Sequence, residues 1–82
     1  MIEITYFGFL KEALGVADET LEWTVGSSEA LLETLRTRGE LWETTLAPNN
    51  IFRVVVNEEI HFGDVEIKAG DKVALLPPVT GG

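Results

Sequence analysis

Apolar and polar residues along the chain change period several times, and each change marks an element. Ile2, Ile4 and Tyr6 alternate with Glu3, Thr5 and Phe7, a period of two that predicts a half-buried strand. Gly8 interrupts it. Leu10, Ala13 and Leu14 then fall at helical spacing, with Gly15 placed to cap the turn. Leu21, Trp23 and Val25 alternate with Glu22 and Thr24 and predict a second strand. Ser27 or Ser28 is a helix cap, Leu31, Leu32 and Leu35 form an apolar stripe, and Gly39 reads as the stop. Residues 40–46 carry Trp42 and Leu46 one turn apart and predict a further short helical turn.

Beyond Pro48-Asn49-Asn50, which is turn chemistry, the pattern is one of strands. Residues 52–57 are rich in β-branched side chains and read as a central strand. Asn57-Glu58-Glu59 reads as a tight turn into a short strand at 60–62. Gly63-Asp64 and Ala69-Gly70-Asp71 are turns, and residues 72–76 form the last strand, closed by Pro77-Pro78 because proline has no N–H for a ladder. One main amphipathic helix on one face of a mixed sheet packs this set most economically. The opposite sheet face is then uncovered, and alternation puts two large apolar residues on it. Phe7 shares parity with Glu3 and Thr5, and Leu76 with Lys72 and Ala74. Such residues either form an interaction patch or fold back under a loop at a strand end.

Eighty-two residues argue for one domain with a modest core. That leaves little chain for an enclosed active site. There is no cysteine, hence no disulfide, thiolate metal site or cysteine nucleophile. Six basic against fourteen acidic residues give a formal charge of −8. This balance disfavours nucleic acid and anionic membranes and suits a basic protein partner, or simple solubility. Met1-Ile2-Glu3-Ile4 has no basic or apolar leader character, and no apolar run reaches transmembrane length, so a cytoplasmic protein is expected.

No nucleotide-binding, zinc-protease or serine-hydrolase motif occurs. His61, the one histidine, has no nucleophile near it in sequence and reads as a surface or packing residue. Ser27 and Ser28 read as caps, Glu29 and Glu33 as a solvated helix face, and Asp64, Glu66 and Asp71 lack the pattern of a calcium loop. No metal site is expected.

The informative segment is the ending, Pro77-Pro78-Val79-Thr80-Gly81-Gly82. Two prolines restrict the backbone as it leaves the sheet, and two glycines suit threading through a narrow channel toward another enzyme's active site. A terminal carboxylate is unreactive until joined to AMP. A sulfur donor then displaces AMP and leaves a thiocarboxylate, a sulfur nucleophile that needs no cysteine. The plainer reading is a frayed end.

This ending resembles that of the molybdopterin synthase small-subunit family, the ubiquitin-like sulfur carriers of molybdenum-cofactor biosynthesis. Ile4-Thr5-Tyr6-Phe7-Gly8, the 10–15 segment, Val56-Asn57 and Gly70-Asp71-Lys72-Val73 fall where that family has similar features. The resemblance implies an α+β, β-grasp fold over residues 1–78 and a Gly-Gly tail over 79–82. It implies that an E1-like adenylyltransferase/sulfurtransferase adenylates Gly82 and that a thiocarboxylate follows, with Gly81 beside it. These would be transient covalent states, with no tightly bound cofactor. Sulfur would pass to cyclic pyranopterin monophosphate in a pocket of the large synthase subunit, within a heterotetramer. Phe7, Ile60 and Leu76 match partner-contact positions of the family, and Pro77, Pro78, Val79 and Thr80 would accompany them. A thiazole-pathway sulfur carrier and a ubiquitin-like protein modifier are the alternatives. Those thiazole carriers usually lack the Pro-Pro-Val before the glycines.

Overall fold

The structure, a computed structural model, describes residues 1–47, 53–61 and 63–77. The expected turn at Pro48-Asn49-Asn50, the ends of two expected strands at Phe52 and Phe62, and the tail residues Pro78 to Gly82 lie outside the described residues.

Strand β1 (Ile2–Tyr6) buries Ile2, Ile4 and Tyr6 and turns Glu3 outward, as its period requires. Helix α1 (Phe9–Leu14) follows the Gly8 corner, buries Leu10 and Leu14, and ends at Gly15 in the left-handed conformation, whose N–H donates to the Lys11 carbonyl at 2.9 Å. Strand β2 (Asp18–Leu21) runs antiparallel to β1. The main helix, α2 (Ser28–Arg36), buries Leu31, Leu32 and Leu35. A short α3 (Glu40–Thr45) leads to the buried Leu46, whose carbonyl accepts from Arg36 Nε at 2.6 Å.

After α3 come four strands, β4 (Arg53–Val56), β5 (Glu59–His61), β6 (Glu66–Lys68) and β7 (Lys72–Leu76). The main sheet has the order β2-β1-β7-β4-β5, with β1 and β7 parallel and the other neighbours antiparallel. The core lies between this sheet and the helices, where Tyr6, Leu35, Leu46, Ile67 and Leu75 are almost fully buried.

The structure corrects the sequence reading in three places. The strand expected through Leu21, Trp23 and Val25 is two strands. β2 ends at Leu21, and β3 (Val25–Ser27) pairs with β6 in a separate two-stranded sheet. Trp23 sits in the bend between them: its Nε1–H donates to the Ile67 carbonyl at 3.0 Å, and its ring lies over Gly26. Its apolar period therefore came from a packing anchor. β6 itself was not expected from the pattern, because only Ile67 of its three residues is apolar. Finally, α2 ends at Arg36 with Thr37 as its cap, and Gly39 instead precedes α3.

Candidate functional site

The central strand β7 carries the chain toward its ending. Because β7 runs parallel to β1, Leu76 and Pro77 emerge beside Phe7 and Gly8. The Phe7 N–H continues the ladder past β1, donating to the Leu75 carbonyl at 3.1 Å. Gly8 then turns the chain into α1 with φ 59° and ψ −136°, and the ring of Pro77 lies against it.

Register fixes what surrounds this exit. On the face away from the helices, Thr5 of β1 pairs with Ala74 of β7, Ala74 with Val55 of β4, and Val55 with Ile60 of β5. One step along, Leu76 pairs with Arg53. The parallel register brings Phe7 to its other side. Phe7 and Ile60 are 46% and 55% exposed, and Leu76 is partly buried. The three positions expected from sequence thus share one sheet face, with Val55 and Ala74 between them. A shallow depression of about 150 Å³ lies here, lined by Thr5, Phe7, Val55, Glu58, Lys72 and Ala74 among others. Toward the other end of the face the lining becomes polar, in a broad hollow of about 560 Å³ bordered by Glu3, Thr5, Asp18, Thr20 and Lys72. The apolar part is therefore next to the chain exit.

Val55, Ala74 and Gly8 were not singled out from sequence. The parity of Ala74 was legible, but small size hid it. Val55 lies in a run of three valines, where alternation cannot say which one faces out. The role of Gly8 depends on a contact with a residue 69 positions away, which no local pattern encodes.

The other candidate groups have structural partners. The Ser27 Oγ accepts from the Ala30 N–H at 3.1 Å and caps α2. Ser28 Oγ donates to Asp64 Oδ1 at 2.8 Å and accepts from the Val65 N–H at 3.0 Å, and the Glu29 N–H also donates to Asp64 Oδ1 at 2.9 Å. These bonds, the Glu29 amide first, hold the Asp64 carboxyl below its usual range. Asp71 is lowered by the Lys68 N–H at 2.9 Å and by Asn57 Nδ2 at 3.0 Å. Glu66 faces Lys68 at 3.6 Å. Glu29 and Glu33 are exposed on α2, and His61 is in β5. Among the described residues, no three of His, Asp or Glu gather as metal ligands would.

A family model described as the ThiS family matches residues 4–82, running through Gly82. This chain belongs to the ThiS family. Within that family it is similar over its full length to curated proteins of equal extent. It is 32% identical over 82 residues to the molybdopterin synthase sulfur carrier subunit of Haemophilus influenzae, covering 100% of both chains. It is 28% identical over 82 residues, again 100% of both, to the protein of the same name from Escherichia coli K12. Among solved structures, the solution structure of small archaeal modifier protein 1 from Methanosarcina acetivorans superposes with a TM-score of 0.66 at 22% identity, covering 99% of this chain and 95% of the other. A Haloferax volcanii protein gives 0.63 at 24%, covering 99% and 85%. At that identity the likeness concerns fold, and with the mixed sheet it makes this ThiS-family chain a ubiquitin-like β-grasp domain.

Proposed function

We propose that this chain is the sulfur carrier subunit of a molybdopterin synthase and that Gly82 carries the sulfur. The observation behind this reading is the end-to-end similarity to two proteins of that name, in a chain that closes on Pro77-Pro78-Val79-Thr80-Gly81-Gly82. In the proposed cycle, an oxygen of the Gly82 carboxylate attacks the α-phosphorus of ATP on an E1-like enzyme. Pyrophosphate leaves and an acyl-adenylate forms. A sulfide-level donor then attacks the carbonyl carbon, the C–O bond to AMP breaks, and a thiocarboxylate remains. On the large subunit its sulfur would attack a carbon of cyclic pyranopterin monophosphate, the C–O bond at that carbon breaking and its oxygen leaving on the phosphate or as water, and two such transfers would supply the two sulfurs of the dithiolene. Hydrolysis of the resulting thioester returns Gly82 to a carboxylate. Two carriers on a dimer of large subunits would form the working heterotetramer, in the cytoplasm.

The division of labour suits the chain's charge. Fourteen acidic against six basic residues offer little to a phosphorylated substrate, which needs cationic donors. The partner would supply those, and this chain would supply a docking face and a thread. Phe7, Ile60 and Leu76 would be the apolar anchors, with Pro77, Pro78, Val79 and Thr80 entering the partner's channel ahead of Gly81.

The test is deletion of Gly81-Gly82. The variant is expected to retain the fold and to bind the large subunit, yet to form no dithiolene from the pterin precursor. Undiminished product would remove the carrier role. Transfer of sulfur to a thiazole precursor, or amide conjugates with lysines in cell extract, would replace this reading with a related carrier or a protein modifier.

A further inference from the structure

We infer that Glu58 and the depression beside it form a seat for one long cationic side chain, arginine or lysine, of the large subunit. The inference rests on the carrier role proposed above and deepens it, by giving the docking face a charged contact at its rim.

The starting point is a backbone outlier. A two-residue turn joins β4 to β5, since Val56 pairs with Glu59 and only Asn57 and Glu58 lie between. Both have positive φ, 50° and 71°, as a tight hairpin turn of this hand requires. Asn57 suits its place. Asparagine tolerates this region, and bonds fix it there. Its N–H donates to the Lys72 carbonyl at 2.8 Å, its Oδ1 accepts from the Lys72 N–H at 3.0 Å, and its Nδ2 donates to Asp71 Oδ1 at 3.0 Å. At the second position glycine is the residue that fits without strain. Glutamate stands there instead. It is exposed, and its side chain makes no hydrogen bond or ion pair with any described residue. No polar contact within the described fold accounts for a carboxylate at so strained a position. Outliers of this kind cluster at binding sites.

The surroundings of Glu58 define what it would bind. It lines the depression of about 150 Å³ together with Phe7, Val55 and Ala74, so an acidic rim stands beside an apolar floor. Arginine and lysine have the complementary form, an aliphatic stem with a charged head. The stem would lie on Val55 and Ala74, and the head would reach the carboxylate. The Phe7 ring favours a cation over its face. An anion would meet Glu58 and a chain of formal charge −8. Lys72 also lines the depression, and it stands across the ladder from Glu3. The seat is continuous with the exposed Ile60, which pairs with Val55, so a partner that covers Phe7 and Ile60 covers it too. A carboxylate–cation contact shielded in this way adds specificity and a salt-dependent share of affinity. Glu59 is the comparison within the chain. It pairs with the buried Val56 and so belongs to the other face of the sheet.

Binding to the large subunit is titrated at about 0.1 M and about 1 M salt, where screening is moderate and strong. Glu58→Gln keeps the backbone demand and removes the charge. It is expected to leave the melting temperature in place, to weaken binding about tenfold at the lower salt, and to reduce the salt dependence. Glu58→Gly removes charge and strain together. It should lose the same affinity while its melting temperature rises by about 4 °C. Glu59→Gln makes the same change in net charge on the other face and should shift affinity less than about twofold. Arginine and lysine variants of the large subunit are then titrated against both chains. One cationic position should weaken binding to the unaltered chain and cost little further against Glu58→Gln. Unaltered affinity in Glu58→Gln, equal losses in Glu58→Gln and Glu59→Gln, no coupled cationic position, or a melting temperature of Glu58→Gly that does not rise overturns the inference. If the unaltered chain does not bind the large subunit, the carrier reading fails first and takes this inference with it. If the unaltered chain binds and the Glu58 changes have no effect, the inference alone fails.

Discussion

Trp23 and Gly26 show how much a single residue can decide in a domain of this size. The indole reaches across the bend to the Ile67 carbonyl and lies so close to Gly26 that an added Cβ would meet Cζ2 at 2.7 Å. The hydrogen bond holds the ring, so it cannot swing aside freely. Gly26→Ala is expected to destabilise the fold by about 1–3 kcal/mol, the usual cost of overpacking. Gly63→Ala, where nothing lies within 4 Å, is the control and should change little. Urea unfolding of both variants checks this, and equal stabilities would refute the packing role of Trp23. Tyr6 makes a similar point with polar chemistry. Its ring is buried, its hydroxyl donates to Glu19 Oε2 at 2.7 Å, and burial followed by that acidic neighbour pushes its pKa well above the ordinary phenol value. Glu19 in turn takes both terminal nitrogens of Arg38 at 2.7 Å, and the Arg38 guanidinium stacks 4.6 Å over Trp42, which meets Tyr6 edge-on. The ring of four closes the open edge of the core beside β2.

At the scale of elements, those carboxylates make stability depend on pH. Glu19 is lowered chiefly by Arg38, Asp64 by the Glu29 amide at the start of α2, and Asp71 by the Lys68 amide in the β6–β7 turn. A carboxylate whose folded pKa lies below its unfolded value of about 4 binds fewer protons when folded. Its contribution is therefore present above that unfolded pKa and is lost as pH falls through the folded one. Unfolding free energy should stay level from about pH 7 to 5 and decline below about pH 4.5. Asp64→Asn and Asp71→Asn should each flatten the decline, as read by denaturant titration across pH; an unaltered profile would show that these bonds carry no linkage. The same scale shows what a sequence discloses. β1, α1 with its Gly15 cap, and β7 were legible because one face of each is buried and local chemistry marks the ends. β3 and β6 were not, because each has one large apolar residue, Val25 or Ile67, too few to show a period, and their pairing is made by the backbone. The outward placement of Phe7 and Leu76 was legible from parity, since an apolar residue among outward-facing polar ones breaks a simple rule. Their neighbour Val55 needed the register, which is set by tertiary pairing.

On the scale of the molecule, the fold separates two tasks. One sheet face is covered by α2 and its neighbours and holds the core, and the other presents an apolar patch beside the point where β7 hands on to the chain end. No helix among the described residues is long and apolar enough to cross a membrane. If the patch docks the partner, Phe7→Ala and Ile60→Ala should each weaken binding to the large subunit by about 1–2 kcal/mol with little loss of fold stability, because both side chains are about half exposed already. Calorimetric titration checks this, and unchanged affinity in both variants would move the interface elsewhere.

The central claim concerns one covalent change, so mass tests it most directly. The chain is incubated with an active E1-like enzyme, ATP and a sulfur source, and the intact protein and its C-terminal fragments are weighed. Fragments are essential, because oxidation of Met1 adds nearly the same mass as exchanging oxygen for sulfur. The carrier role predicts sulfur on the fragment ending at Gly82, dependent on ATP and absent after deletion of Gly81-Gly82. A C-terminal fragment that keeps its carboxylate oxygen under an enzyme proven active on another carrier would contradict it.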